Sequence, residues 1–322
     1  MKSLIRILCA LMLVSASGVR LAAAQGVQRG ADPEGRLIDE LIVTGRMASP
    51  AWWRVSDQDS TVWVLGLPAG LPRGTSWNER SLKDRLSHAR SLILPPLLRV
   101  APLKAIGFFV AHRKALKSSA PLEQTLPPAL ARRFAAARTS LGQDARRYAG
   151  WKPVVAGVIL DGDLRKSVAL QNGQPLNRIR DLARSAHVRE QRAASYDASV
   201  ILKTMLSISD QAQYDCLEDS LSEAEAGAAR VRSASIGWTR GDVRAALAME
   251  RGYDRCFAAL PAVSALIERS DAGMADAIAA ALAQPGESIA VVDLRALLAS
   301  GGVLDRLKTR GFTVATPATV SN

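Results

Sequence analysis

AWWRVSDQDSTVWVLGL, residues 51–67, is the stretch that decides the fold of this 322-residue chain. Apolar residues alternate with other residues over 52–55 and again over 61–65, and turn-forming residues occupy 56–60 between them. Two alternating runs joined by such a connection predict a β-hairpin. We therefore expect the globular domain to begin with a hairpin whose second strand runs into Gly66.

Further strand-like runs lie on either side of a long helical region. Residues 91–94 and 288–292 have the composition of buried strands, and residues 312–314 follow a glycine stop as a last strand. Apolar residues at helical spacing dominate the region between them. The sequence thus predicts an α/β (α+β) fold, with a mixed sheet built from N- and C-terminal strands and a large helical middle region.

The N-terminus has the pattern of a secretory signal peptide. Lys2 and Arg6 precede an apolar run, and small residues follow up to Ala24. The run is shorter than the roughly 18 residues that a spanning helix needs, and no later segment is long and apolar enough. We expect residues 1–24 to be removed, leaving a periplasmic or secreted protein of a Gram-negative bacterium without a transmembrane segment.

The rest of the chain divides into three parts. Residues 25–49 are polar and lack periodicity, which predicts a flexible leader before a single domain over 50–317 and a tail over 318–322. Within the leader, residues 40–46 resemble the TonB box of outer-membrane transporters. In a chain without a barrel pattern we favour chance similarity, and TonB remains a weak alternative as a partner.

The chain is basic, with 42 Lys and Arg against 30 Asp and Glu and a formal charge of +12. Three basic residues leave with the signal peptide, so the charge falls to +9. The basic residues are scattered along helical stretches, which favours a solvated face. Together with export and the lack of a nucleic-acid-binding motif, this argues against nucleic acid as a partner.

Two cysteines, Cys216 and Cys256, remain after cleavage. They lie on two predicted helices, and Thr239 with Asp242 has the spacing of a capping box that would start the second helix. Because an exported protein meets an oxidising compartment, we favour a disulfide between them over two separate buried thiols.

Residues 105–111 form a short apolar run bracketed by Lys104 and by basic residues at 112–114. Such a run could enter a membrane interface. A buried core segment is the more common explanation, and we favour it.

Several short segments together resemble the TraB/GumN family, bacterial relatives of the Tiki proteases that are also similar to ChaN-like and erythromycin-esterase-like folds. The resemblance spans about residues 51–314. The segments that carry it are residues 53–57, 62–71, 126–128, 151–153, 238–242 and 310–314.

This resemblance implies a metal-dependent hydrolase site that the chain lacks. Family members carry a Gly-Thr-x-His loop after the first hairpin, a Glu at the end of the next strand and a Gly-x-x-His-type loop after the penultimate strand. Two histidines and a carboxylate suit a catalytic divalent metal. The corresponding positions here are Gly66, which is kept, Leu67 for the Thr, Ala69 for the first His, Pro95 for the acid and Ala296 for the second His. Asp293 begins the segment that replaces the last loop, and Arg269 retains part of an Arg-Asn pattern.

The three histidines do not replace the missing ligands. His88, His112 and His187 lie outside both motif loops, and we expect each to be structural or exposed. We therefore predict no catalytic, cofactor-binding or metal-binding residues, no cofactor, and a pseudoenzyme that binds an envelope protein or glycan. The alternative is a protease-like hydrolase that needs a divalent metal and has a relocated site near Gly66, Arg269 and Asp293.

Overall fold

The computed structural model describes residues 26–42, 49–171, 174–248 and 251–317. The predicted signal peptide and the tail at 318–322 lie outside these ranges, as does most of the TonB-like segment. The bounds of the signal peptide, leader, domain and tail therefore remain predictions.

The described residues contain ten strands in three sheets. They are β1 Trp52–Ser56, β2 Ser60–Leu67, β3 Leu71–Pro72, β4 Ala89–Leu94, β5 Leu97–Arg99, β6 Leu170–Gln171, β7 Arg189–Arg192, β8 Ser195–Asp197, β9 Gly286–Asp293 and β10 Thr313–Ala315.

Thirteen α-helices lie within the same ranges. They are α1 Arg80–His88, α2 Pro102–His112, α3 Leu122–Thr125, α4 Pro128–Ser140, α5 Pro153–Ser167, α6 Gln174–Ser185, α7 Ser199–Ser207, α8 Asp210–Thr239, α9 Val243–Leu247, α10 Gly252–Ala258, α11 Pro261–Leu282, α12 Leu294–Leu298 and α13 Val303–Thr309.

The main sheet has the strand order β10-β1-β2-β9-β4-β7. Strand β1 is antiparallel to both of its neighbours, whereas β2, β9, β4 and β7 run parallel. N-terminal and C-terminal strands therefore form one mixed sheet, and the predicted α/β class is confirmed. The predicted opening hairpin is β1–β2, in which Val55 lies opposite Val62 and Asp57 accepts a hydrogen bond from the Ser60 amide at 3.0 Å.

The helical middle region has cores of its own. One cluster joins α4, α5 and α8 around Phe134, Tyr148 and Leu217, all of which are buried. A second surrounds the disulfide between Cys216 of α8 and Cys256 of α10, whose Cα atoms are 5.1 Å apart. The predicted disulfide is therefore present.

The helix predicted after residue 239 is broken in two. Helix α9 ends at Leu247 and α10 begins at Gly252. At Gly252 an added Cβ would lie 2.6 Å from the carbonyl oxygen of Asp219, so the chain approaches α8 at a position that only glycine fits. This contact between distant segments has no local sequence signal.

The predicted capping box at this boundary is wrong. Thr239 is the last residue of α8, and its hydroxyl donates to the carbonyl oxygen of Ile236 at 2.9 Å. Asp242 is the N-cap of α9 and accepts from the Ala245 amide at 2.9 Å. Gly241, with φ of 68°, lets the chain turn between the two helices.

Residues 26–42, within the predicted flexible leader, lie along the domain as a strap. We call them the N-terminal strap. Val27 forms a β-bridge with Ile208, Leu37 forms another with Ala299, and Leu41 is buried. These are contacts with residues far along the chain, which the polar composition of the leader does not predict.

The apolar run at residues 105–111 belongs to α2, and our preference for a core segment is wrong. Helix α2 has no buried residue, because its main apolar side chains point away from the domain. None of the helices in the described ranges combines the length and hydropathy needed to cross a bilayer.

Candidate functional site

Three parallel strands end at one edge of the main sheet, and the segments that follow them form the candidate site. Leu67 at the end of β2 pairs with Asp293 at the end of β9, and β4 ends beside β9 just before Pro95. In open α/β sheets, ligands bind at the carboxyl ends of the strands. Segments that are distant in sequence are brought together here.

A cleft of about 290 Å³ lies at this edge, and we call it the main cleft. An adjoining cavity of about 240 Å³, the side cavity, shares Glu34, Leu98, Ile267 and Asp293 with it. Most of the main cleft is apolar. Its apolar wall includes Leu67, Pro68, Leu98, Ile201, Leu247, Tyr253, Phe257, Val263, Leu266, Ile267 and Leu294.

Most of the positions predicted by resemblance face these two spaces. Leu67 and Ala69 line the main cleft, Pro95 and Ala296 line the side cavity, and Asp293 lines both. These five residues come from three separate segments of the chain, and four of their side chains are hydrocarbon.

Gly66 lies beneath the cleft and is closely packed. An added Cβ at Gly66 would lie 2.5 Å from a methyl carbon of Leu294, and the Gly66 carbonyl accepts from the Trp238 indole at 2.7 Å. Trp238 in turn packs edge-on against Trp77, with ring centroids 5.4 Å apart. The glycine thus has a packing role that needs no bound ligand.

Arg269 is not part of the site. Its side chain is exposed on α11, where it donates to the Ala265 carbonyl at 3.2 Å, and it lines neither the main cleft nor the side cavity. Of the three residues named for a relocated enzyme site, only Asp293 presents a functional side chain to the cleft.

Asp293 is held at the start of α12. Its carboxylate accepts from the Arg295 amide at 2.9 Å and from the Ala296 amide at 3.4 Å, as an N-cap does. Burial by the neighbouring residues raises the pKa of Asp293, and the two amide hydrogen bonds oppose this rise in part. The carboxyl still remains in contact with solvent through the cleft.

Two further carboxyl groups of the site were missed in the sequence. Burial, followed by the nearby Asp293, raises the pKa of Glu34 to about 8. The same two causes, in the same order, raise the pKa of Asp271 to about 7. Both groups line the side cavity, and Glu34 also lines the main cleft.

Only one of these two carboxyls has a signal in the sequence. Glu34 comes from the N-terminal strap, whose composition gives no sign of packing. Asp271 is followed by Met274, Ala275 and Ile278 at helical spacing, and all four are buried on one face of α11. That spacing predicts a buried carboxyl, a feature that often marks a functional site.

Arginines supply the opposing charge. Arg251 binds Asp32, and it also donates to Glu34 at 2.7 Å, so one guanidinium joins the strap to the cleft. The charge of Arg251 lowers the pKa of Glu34, but burial and the nearby Asp293 raise it by more. Arg295 donates to the Leu247 carbonyl at 2.8 Å on the same wall.

The three histidines lie away from both cavities. His88, His112 and His187 are exposed, and none lines the main cleft or the side cavity. His88 contacts the Asp84 carbonyl at 3.1 Å, and the His112 ring lies 4.8 Å from that of Phe108.

The side chains around the cleft do not fit the metal that the resemblance implies. Leu67, Ala69, Pro95 and Ala296 have no side-chain atom that could donate an electron pair to a metal. Within the described ranges, no group of three His, Cys, Asp or Glu side chains is placed to hold a metal ion.

The comparison with protein families agrees with the resemblance. The model of the TraB/PrgY/gumN family matches residues 51–316. No curated protein and no solved structure matches this chain. Because the family model covers most of the chain, this protein belongs to the TraB/PrgY/gumN family.

Proposed function

We propose that this protein is exported and acts as a binding or accessory protein of the bacterial cell envelope. In this proposal its cleft takes up a ligand at the place where relatives would carry out metal-dependent hydrolysis. The N-terminal signal pattern supports export. The disulfide Cys216–Cys256 is compatible with an oxidising compartment such as the periplasm.

One observation carries the loss of hydrolysis. Leu67, Ala69, Pro95 and Ala296 stand where the resemblance implies polar groups, and all four residues line the main cleft or the side cavity. A hydrocarbon side chain can neither ligate a metal nor transfer a proton. The cleft itself is retained, so binding is the function that its geometry supports best.

The lining of the main cleft favours a peptide segment over a glycan. A glycan presents many hydroxyl groups, which the apolar wall would leave without hydrogen-bond partners. Apolar side chains of a peptide would instead be removed from water against Leu98, Phe257 and Leu266.

The carboxyl groups suit the backbone of such a peptide. Because burial and the nearby Asp293 raise the pKa of Glu34, this carboxyl takes up a proton more readily than an exposed one. A protonated carboxyl both donates and accepts hydrogen bonds, so it can pair with a peptide carbonyl and with a peptide N–H.

Blocking the cleft tests this proposal. We expect a dansyl-labelled Leu-Phe-Leu amide to bind residues 26–322, and Ala69→Trp to weaken binding by about tenfold or more because the indole would occupy the cleft. Ala136→Trp, at an exposed position of α4, is the matched control and leaves binding unchanged. Fluorescence titration gives the dissociation constants.

Two results would contradict the proposal. One is equal binding by the two tryptophan variants, which would place the peptide outside the cleft. The other is binding of chitotetraose rather than the peptide.

A hydrolase with a relocated site is the second candidate. The raised pKa values of Glu34 and Asp293 favour it, because a carboxyl tuned towards neutral pH can act as a general acid. This candidate predicts hydrolysis of fluorogenic casein that Asp293→Asn abolishes and that Glu225→Gln, an exposed control, leaves intact. The binding proposal predicts no hydrolysis by any variant, with or without added Zn²⁺ or Mn²⁺.

A further inference from the structure

Exposed apolar side chains are concentrated in one part of the molecule. Among the described residues, seven large apolar side chains are strongly exposed, and six of them belong to β5 and α2. We call these six the α2 patch; they are Leu97, Leu98, Leu103, Ile106, Phe109 and Val110. Four of them lie within eight residues of α2, and exposed apolar side chains grouped in this way mark an interaction surface.

Helix α2 presents its apolar face to the outside. Leu103, Ile106 and Val110 are spaced by three and four residues, and 83%, 60% and 74% of their surfaces are exposed. Phe108 points the other way and packs against the cluster around the disulfide. The helix is therefore attached to the domain by one side and leaves its most hydrophobic side without a partner.

The patch lies in a strongly basic part of the sequence. Residues 95–122 contain no acidic residue and five basic ones, namely Arg99, Lys104, Arg113, Lys114 and Lys117. Arg99 precedes the helix, and Arg113 and Lys114 follow it directly, so positive charge lies at both ends of the apolar face. Lys104 pairs with Asp197 at 2.9 Å but keeps much of its surface exposed.

We infer that the α2 patch docks on the surface of an anionic phospholipid bilayer. A short helix with an apolar face and basic flanks lies in the plane of the interface, with its apolar side among the upper acyl chains. At about 1.5 Å per residue, its 11 residues extend over roughly 16 Å, which suits attachment to one leaflet.

The positive charge beside the patch favours an anionic membrane over a second copy of the chain as the partner. In a symmetric dimer through the patch, the same surface of each copy would meet, and the basic flanks would lie close to each other. Repulsion between them opposes such a dimer, whereas anionic lipid headgroups attract them. Leu98 belongs both to the patch and to the wall of the main cleft, so docking brings the cleft next to the membrane.

Vesicle sedimentation tests the inference with residues 26–322. We expect the protein to pellet with phosphatidylcholine vesicles that contain phosphatidylglycerol, and to stay mostly in the supernatant with phosphatidylcholine alone. Raising the salt concentration is expected to weaken the association, because it screens the attraction to the headgroups. Failure to pellet with the anionic vesicles at low salt would overturn the inference.

Substitutions separate the apolar contribution from the charge. Ile106→Asn with Val110→Asn removes apolar contact without changing the charge and is expected to lower the partition coefficient by tenfold or more, whereas Ile236→Asn, at an exposed apolar position of α8, leaves it nearly unchanged. Arg113→Gln with Lys114→Gln is expected to lower it by about fivefold per residue. Arg132→Gln with Arg232→Gln removes the same charge elsewhere and is expected to have a much smaller effect. Equal losses in each variant pair and its control would contradict docking through this patch.

A label on the helix tests insertion directly. Val110→Cys labelled with the fluorophore NBD is expected to shift its emission to shorter wavelength with anionic vesicles, because the label leaves water. Ile236→Cys labelled in the same way is expected to show no shift. An unshifted Val110 label on pelleted protein would overturn the inference. So would a stable dimer in solution that Ile106→Asn with Val110→Asn dissociates, because a second copy would then cover the patch.

Discussion

The interior of the main sheet and its carboxyl edge lie on the same strands but differ in what their side chains do. Inside the sheet, residues 62–65 of β2 and 289–292 of β9 provide largely buried side chains that build the core. At the edge, Leu67, Ala69 and Asp293 depart from the pattern that the resemblance implies. Core positions are fixed by packing, whereas the edge faces a cleft, so its chemistry can change while the fold stays.

The sharpest test of this contrast is one substitution in each region. Trp53→Ala is expected to lower the free energy of unfolding by about 3–5 kcal/mol. The Trp53 side chain is completely buried, and its indole donates to the Leu41 carbonyl at 3.2 Å. Ala69→His at the edge is expected to change it by less than about 0.5 kcal/mol, because Ala69 is exposed. Chemical denaturation measures both, and similar losses in the two variants would remove the contrast.

The disulfide connects α10, which forms part of the wall of the main cleft, to α8 of the helical region. Removing it tests how far the helical region, rather than the sheet, contributes to stability. Cys256 lies on α10, and Phe257 on the same helix lines the main cleft. Replacing Cys216 and Cys256 by Ala is expected to cost about 3–4 kcal/mol, since the bond closes a loop of 40 residues. Thermal and chemical unfolding of the two proteins give the difference. A loss below about 1 kcal/mol would show that packing alone holds α10 in place.

Asp271, which lines the side cavity, is expected to make the stability of the protein depend on pH. Burial raises the pKa of Asp271 to about 7, whereas an unfolded Asp titrates near 4. The folded state therefore favours the protonated carboxyl, and this contribution is complete below about pH 4 and is lost as the pH rises through about 7.

Asp271→Asn is expected to remove that dependence. The difference in unfolding free energy between wild type and variant should change by about 2–4 kcal/mol from pH 4 to pH 8.5, with the wild type losing more at high pH. Asp84→Asn, at an exposed position of α1, is the control and should leave the pH profile unchanged. Parallel pH profiles for wild type and Asp271→Asn would mean that this carboxyl is charged in the folded protein.

The smallest expected effect concerns the start of α9, beside the cleft. Asp242→Ala is expected to cost about 1 kcal/mol, because Asp242 satisfies a free amide of the first turn. Thr239→Ala should cost clearly less, since the Thr239 hydroxyl only bonds back to its own helix. A larger loss of stability for Thr239→Ala than for Asp242→Ala would support the capping role of Thr239 that the sequence predicts.

The features predicted correctly from the sequence are those with local causes. Alternation over residues 52–65 predicts the hairpin, and short apolar runs predict β4 and β9, whose central side chains are buried. The glycine stop before residue 312 predicts the last strand, β10. Helical spacing predicts helices around Cys216 and Cys256, whereas their disulfide was expected from the oxidising compartment that an exported protein meets. The resemblance names positions in three separate segments, and the order of the strands in the sheet brings these segments to one edge.

The features missed depend on contacts between distant residues. The N-terminal strap is ordered by bridges to Ile208 and Ala299 and by the pairing of Glu34 with Arg251. Composition alone cannot indicate such contacts, so Glu34 was not recognised as part of the site. For the same reason, periodicity could not show whether the apolar face of α2 is covered or exposed.

Metal binding tests the central claim most directly. Isothermal titration of residues 26–322 with Zn²⁺ and Mn²⁺, together with elemental analysis of the purified protein, is expected to show no saturable site in the wild type. The variant Ala69→His, Pro95→Glu, Ala296→His, which restores the side chains that the resemblance implies, is expected to gain one. One zinc or manganese ion per wild-type chain, lost on Asp293→Asn, would contradict a cleft that works by binding alone.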